Sequence, residues 1–217
     1  MVTTRVATFA QQQLITNAAL RTQRKIAEAQ LQVATGKKTQ EFSGIAADAS
    51  RLVTLKGQLG NAKQFIQNIV VTEKRLDLME FSLEQIDQIA RTARTDLLNS
   101  FNGSTANRFE LASVAQGALD QVVDILNLRD DSRYLFAGGK VTTKPVDLAN
   151  GTYTAPAPPP FDTTADLGYY EGDSVTQSAR IDEGFVVQYG VKANESAFEK
   201  IIRALDSISN TTFSDPV

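Results

Sequence analysis

Carboxylates are the side chains best placed to do chemistry here, because the 217 residues include no Cys, no His and no Trp. Without His, the commonest general base and metal ligand is gone. Without Cys there is no thiolate nucleophile, no disulfide and no thiolate-held zinc or iron–sulfur site. Asp130-Asp131 and Asp182-Glu183 are adjacent pairs, and neighbouring positions point different ways, so neither forms an acid/base dyad. Both pairs read as turn or surface residues. Glu171-Gly172-Asp173-Ser174 has the opening acids of a calcium loop but lacks the spaced carboxylates and the distal Glu, so it reads as a plain turn. Lys37-Lys38 could touch an anionic surface, although two solvated charges just past a helix end is the simpler account. No phosphate-binding loop, dinucleotide turn or nucleophile elbow is present. The sequence offers no catalytic, cofactor-binding or metal-ligating residues, and the chain is expected not to be an enzyme.

The bulk numbers point the same way. Apolar residues make up 42% of the chain, enough for a buried core. The net charge of −3 gives no reason to expect nucleic acid as a partner. Residues 1–50 carry six basic groups against three acidic ones, and residues 161–200 carry three against eight. The N-terminus, MVTTRVATFAQQQLITNAAL, lacks the apolar stretch and cleavage site of a secretory signal. No apolar run of about eighteen residues exists, so no membrane insertion is expected.

The elements that must position these residues are mostly helical. Over residues 4–35, small or apolar residues recur at Ile15, Ala19, Thr22, Ile26, Ala29 and Val33, a narrow seam in an otherwise polar helix. Gly36 stops it. Little of the chain remains to cover that seam, so it is expected to pack between molecules. A second helix spans about 46–100. Leu55, Ala62, Ile69, Leu76, Leu83, Ala90 and Leu97 fall at seven-residue intervals, with a companion seam at Leu52, Leu59 and Ile66, then Met79, Ile86 and Ala93. Such spacing predicts a rod of about 75 Å packed in coiled-coil fashion, with a charge at Leu76 costing several kcal/mol. Asn99–Ser104 is a turn. A third helix, about 106–128, carries Ala112, Ala115, Leu119, Val122 and Leu126 and folds back as an antiparallel hairpin.

After Asp131 the pattern changes. Arg133 to Lys140, RYLFAGGK, reads as a strand ending in a Gly-Gly turn. Five of the six prolines lie between Pro145 and Gly168, marking an exposed loop. Short β-like runs follow at Tyr169-Tyr170, Val175 to Ile181 and Phe185 to Val191. Asn194 or Ser196 can cap a last helix reaching Ser209, with Phe198, Ile201, Ile202, Leu205 and Ile208 as its apolar face. The fold class is mainly α with a β-rich insertion: a long coiled-coil-like helical rod plus a small β-domain.

Gln11 to Lys38, QQQLITNAALRTQRKIAEAQLQVATGKK, resembles the N-terminal segment of bacterial flagellins and the hook-associated proteins related to them, down to the Thr-Gly-Lys turn. LNLRDDSRYLFAGG, Leu126 to Gly139, resembles the junction members of that family, as do GYYEGDSV, Gly168 to Val175, and FVVQYGVKANESAF, Phe185 to Phe198. The motif residues are Arg133, Tyr134, Leu135, Phe136, Gly138, Gly139, Tyr170, Gly172 and Asp173. The family's acidic pair followed by Pro has no counterpart in Glu41 to Ser50, EFSGIAADAS. Its long C-terminal helix is also absent.

What the resemblance implies is a flagellin-like rod. Residues 1–45 would be a polymerisation helix and linker, 46–132 a rod hairpin, 133–193 an outer β-domain and 194–217 a return helix. Ile15, Ala19, Ile26, Ala29 and Val33 would form an assembly interface. Leu55, Ile69, Leu76, Leu83, Ile86, Leu97, Leu119, Val122 and Leu126 would form the rod core. The implied function is structural: a secreted motility subunit of the bacterial flagellum that joins hook to filament and is exported without a cleaved signal. Implied partners are copies of itself, neighbouring hook-associated protein 1 and flagellin, and a flagellar export chaperone, with no nucleic acid and no cofactor. Flagellin, the main filament subunit, is a second reading, but flagellins have an Asn-Gly-containing stretch where this chain has YLFAGG. A non-flagellar helical adaptor would explain the heptads and not the β-domain.

Overall fold

The computed structural model describes residues 3–38, 48–101, 105–156 and 164–211. The expected features at Phe42 to Gly44, the first residues of the second helix, Asn102 to Ser104 and Pro158 to Pro160 lie outside the described residues. The chain divides into two units, Met1–Gly60 and Asn61–Val217. It is mostly helical with a small β region.

Helix α1 is Thr3–Thr35, 33 residues. Its Thr hydroxyls bond back into their own helix, Thr16 to the Gln12 carbonyl at 2.9 Å and Thr35 to Leu31 at 2.7 Å. This satisfies them locally without a tertiary partner. Helix α2, Ala49–Phe101, runs 53 residues unbroken; Gly57 and Gly60 weaken propensity there but do not end it. Helix α3 is Thr105–Leu126. It ends two residues before the expected stop because Arg129–Asp130 (β1) pairs antiparallel with Arg133–Tyr134 (β2), and Asp131 takes the corner at φ 54. Asp tolerates that left-handed turn better than most side chains.

The rest of RYLFAGGK is not a strand. Leu135, Phe136 and Ala137 are buried in irregular backbone. Tyr170 makes only an isolated bridge, with Val146. The expected later strands appear as Gln177–Asp182 (β3) and Phe185–Tyr189 (β4), an antiparallel hairpin with a bulge between Arg180 and Asp182. Helix α4 is Ser196–Ser209 and lies against α3. Its N-cap is Glu195, with no side-chain capping bond, so neither Asn194 nor Ser196 caps it.

One core joins the second unit. Met79 and Ile86 from α2 meet Leu119, Val122 and Leu126 from α3, and Phe198, Ile202 and Leu205 from α4. The β region plugs its end with Leu135, Phe136, Val146, Tyr169 and Ala193. Phe136 meets Phe198 edge to face at 6.2 Å, a favoured aromatic geometry.

Candidate assembly surfaces

The heptad residues of α2 do not all enter this core. Ile69 and Leu97 are half-buried, and Leu55 is exposed. Leu76 and Leu83, expected in the rod core, are 40% and 37% exposed. The buried seam is the companion one, at Met79 and Ile86. The reason is packing. The α3 and α4 residues Leu119, Val122, Leu126, Phe198, Ile202 and Leu205 join the core at Met79 and Ile86. Leu76 and Leu83 lie beside that face and stay partly out of the core. Part of α2 presents an uncovered apolar flank.

The first unit presents another. Ile15, Ala19, Ile26, Ala29 and Val33 are all exposed, Val33 at 85%. Phe9, Leu14, Leu20 and Leu31 are exposed as well. An isolated helix gains little from propensity alone and depends on burying an apolar face.

The Tyr- and Gly-rich motif of the β region is a self-contained lock. Gly138 has φ +68, and a Cβ there would fall 2.5 Å from Asp173 Oδ1. That carboxylate accepts the Gly139 N–H at 2.6 Å and the Val175 N–H at 3.0 Å. The Asp173 N–H donates to the Ala137 carbonyl at 3.2 Å. The Tyr170 hydroxyl donates to the Asp173 carbonyl at 2.8 Å and crosses Gly172 so closely that no Cβ fits. Burial, with the nearby Asp173 charge second, pushes the Tyr170 phenol up to about 12. The Tyr169 hydroxyl donates to the Ala193 carbonyl at 3.0 Å, and the Ala193 N–H donates to Phe136 at 3.0 Å. Leu135 and Phe136 are thereby held in the core. Arg133 is exposed, and the Tyr134 ring lies under the Arg129 guanidinium at 4.9 Å, a cation–π contact.

Three polar ties escaped the sequence. Asp130 is buried and pairs with Lys74 Nζ at 2.5 Å and Arg75 Nε at 3.2 Å, which fastens the β1–β2 corner to α2. The Lys74 hydrogen bond, with Arg75 adding to it, holds its carboxyl below the usual range against the opposing effect of burial. Asn127 mimics a strand neighbour: its Nδ2 donates to the Val146 carbonyl and its Oδ1 accepts the Val146 N–H, both at 3.0 Å. The Tyr153 hydroxyl donates to Asp206 at 2.8 Å. Each partner lies 19 to 56 residues away in sequence, beyond the reach of local periodicity.

Asp130 is ion-paired, Asp131 turns a corner and Asp182 accepts the Glu183 N–H at 2.7 Å. Among the described residues no three metal-capable side chains cluster, and no helix is long and apolar enough to cross a membrane.

No family model matches the chain. Curated relatives include flagellar hook-associated protein 3 of Salmonella typhimurium, 32% identical over 126 residues, which is 56% of this chain and 39% of the relative. Flagellar hook-associated protein 3 of Escherichia coli is 31% identical over 130 residues, 58% of this chain and 41% of the relative. The chain thus spans about two fifths of the length of the curated relatives it matches. Among solved structures, Bacillus cereus FlgL aligns with a TM-score of 0.56 at 18% identity over 74% of this chain and 72% of that one. Flagellar hook-associated protein-3 of Legionella pneumophila aligns with a TM-score of 0.53 at 23% identity over 66% and 40%. These likenesses show the fold. The chain is similar to hook-associated protein 3, in keeping with the motifs from Gln11 to Lys38 and Leu126 to Gly139.

Proposed function

We propose that this chain works as a structural subunit of the bacterial flagellum at the junction of hook and filament, and catalyses nothing. The observation that carries the reading is the likeness to hook-associated protein 3 in two relatives at 32% and 31% identity. The uncovered apolar stripes on α1 and α2 support it, since a polymerising subunit must keep apolar surface in reserve for its neighbours.

In this reading the α1 seam, Ile15 to Val33, packs between copies. The α2 flank, with Leu76 and Leu83, is covered in coiled-coil fashion on assembly. The β-domain, stiffened by the Gly138–Asp173 lock, faces outward. Ordering α1 costs conformational entropy, offset by apolar burial worth about 25 cal/mol per Å². Partners are further copies of the chain, hook-associated protein 1 and flagellin, with an export chaperone holding the subunit before it leaves the cell without a cleaved signal. Gold-labelled antibody against residues 164–211 tests this: label is expected in a single band where hook meets filament. Label spread along the filament would instead identify a flagellin.

A further inference from the structure

A groove of about 670 Å³ runs between α2 and the outer edge of β3. Ile66, Val70 and Val71 line it from α2, and Ser178 and Arg180 from β3. Val71 is 43% exposed.

The backbone beside this groove is open. Asn68 Nδ2 donates to the Arg180 carbonyl at 2.9 Å, so that carbonyl is turned away from β4. In an antiparallel ladder the N–H and C=O of one residue point to the same side, and the direction alternates along the strand. Arg180 and Ser178 therefore turn their backbone groups toward the groove. Their register partners, Val186 and Gln188, turn theirs the opposite way, off the free edge of β4. Outside the β3–β4 ladder none of these groups takes a backbone partner among the described residues, and the Arg180 carbonyl accepts from the Asn68 side chain. The β4 segment itself carries none of the usual sequence guards. Phe185–Tyr189, FVVQY, holds no charge, Pro or Gly, the common guards against strand addition. Phe185 and Val186 are 58% and 54% exposed.

We propose that the free edge of β4 from a second copy of this chain adds alongside β3 in this groove. Each copy would accept one strand and offer another, a head-to-tail contact that propagates into a ring or row. The faces match. Tyr189 points at α2, where its hydroxyl accepts from Arg75 at 3.4 Å, and by alternation Phe185 shares that face. In a continuous sheet the incoming Phe185 lies over Val70 and Val71. The charges match too. The base of the hairpin sits at Arg75 and its tip passes Asn68, so the tip points along α2 toward Lys63. The incoming turn, Asp182-Glu183, then meets Lys63, beside the Arg180 guanidinium, which donates to its own Glu183 carbonyl at 2.7 Å.

The proposal rests on the junction reading for the presence of neighbouring copies. Its test uses purified full chain, so it can fail while that reading stands. The chain contains no Cys, so single introduced thiols are unambiguous. Val71→Cys protein is mixed with Phe185→Cys protein and a short bismaleimide, with melting curves matching the parent as the folding control. Heterodimers are expected about tenfold faster than from Phe185→Cys mixed with Asp120→Cys, because docking raises the local concentration of the paired thiols. Val186→Pro on the Phe185→Cys partner should remove that excess. Equal rates in the two mixtures would overturn the proposal. So would Phe185→Cys homodimers forming as fast as the heterodimer, which would mean that β4 pairs with itself and leaves the groove empty.

Discussion

Gly138 carries more of the fold than its size suggests. At φ +68, with Asp173 Oδ1 and the Asp173 carbonyl within 2.6 Å of any added Cβ, it has no room for a side chain, and its left-handed backbone favours glycine. Gly138→Ala should therefore cost about 2–4 kcal/mol through strain and displacement of the Asp173 carboxylate, read by urea denaturation. Asp130 makes a second claim at this scale. Its folded pKa lies below the unfolded one. Its contribution is then complete above the unfolded value of about 3.9 and is lost as pH falls through the folded value. Asp130→Asn should lower stability by about 1–3 kcal/mol at neutral pH, with parent and variant converging as the pH falls below the ordinary carboxylate range. A gap between them that is independent of pH would show that Asp130 acts by shape and not by charge.

Among the elements, α2 holds two seams that behave differently. Leu126 on α3 is fully buried against the companion seam, so Leu126→Ala should cost about 2–5 kcal/mol. Leu76→Asp falls on the uncovered flank and should change the stability of the isolated chain by only about 0.5 kcal/mol, while impairing assembly. Thermal melts and sedimentation separate the two effects. Sequence periodicity is enough to find all four helices, because their apolar spacing is local. It does not rank the two seams of α2, because Leu76 and Met79 both repeat at seven, and only the packing of α3 and α4 decides which is covered. RYLFAGGK reads as a strand because Tyr, Leu and Phe favour β structure. The Gly139 N–H and the Ala137 carbonyl instead bond Asp173, which holds the segment as a buried plug. The exposure of α1 is legible from its narrow Ala-rich seam. The ties of Asp130, Asn127 and Tyr153 are not, since nothing near them in sequence reveals a partner dozens of residues away.

At the scale of the whole molecule, a well-locked core stands beside apolar surface that the chain leaves open. Leu135, Phe136, Tyr169 and Phe198 are sealed, and the polar groups around them are bonded to one another. Ile15, Ile26, Val33, Leu76, Leu83, Phe185 and Val186 are not sealed. That division suits a subunit whose fold is finished only among its neighbours. It also sets the hierarchy of stability: hydrogen exchange should be slow in α3 and α4 and faster in α1, whose described side chains from Phe9 onward are almost all exposed. The proposed junction role makes a sharper demand on the cell. Deleting the gene should leave hooks intact, remove filaments and release flagellin into the medium. A deletion strain that grew normal filaments would contradict the account.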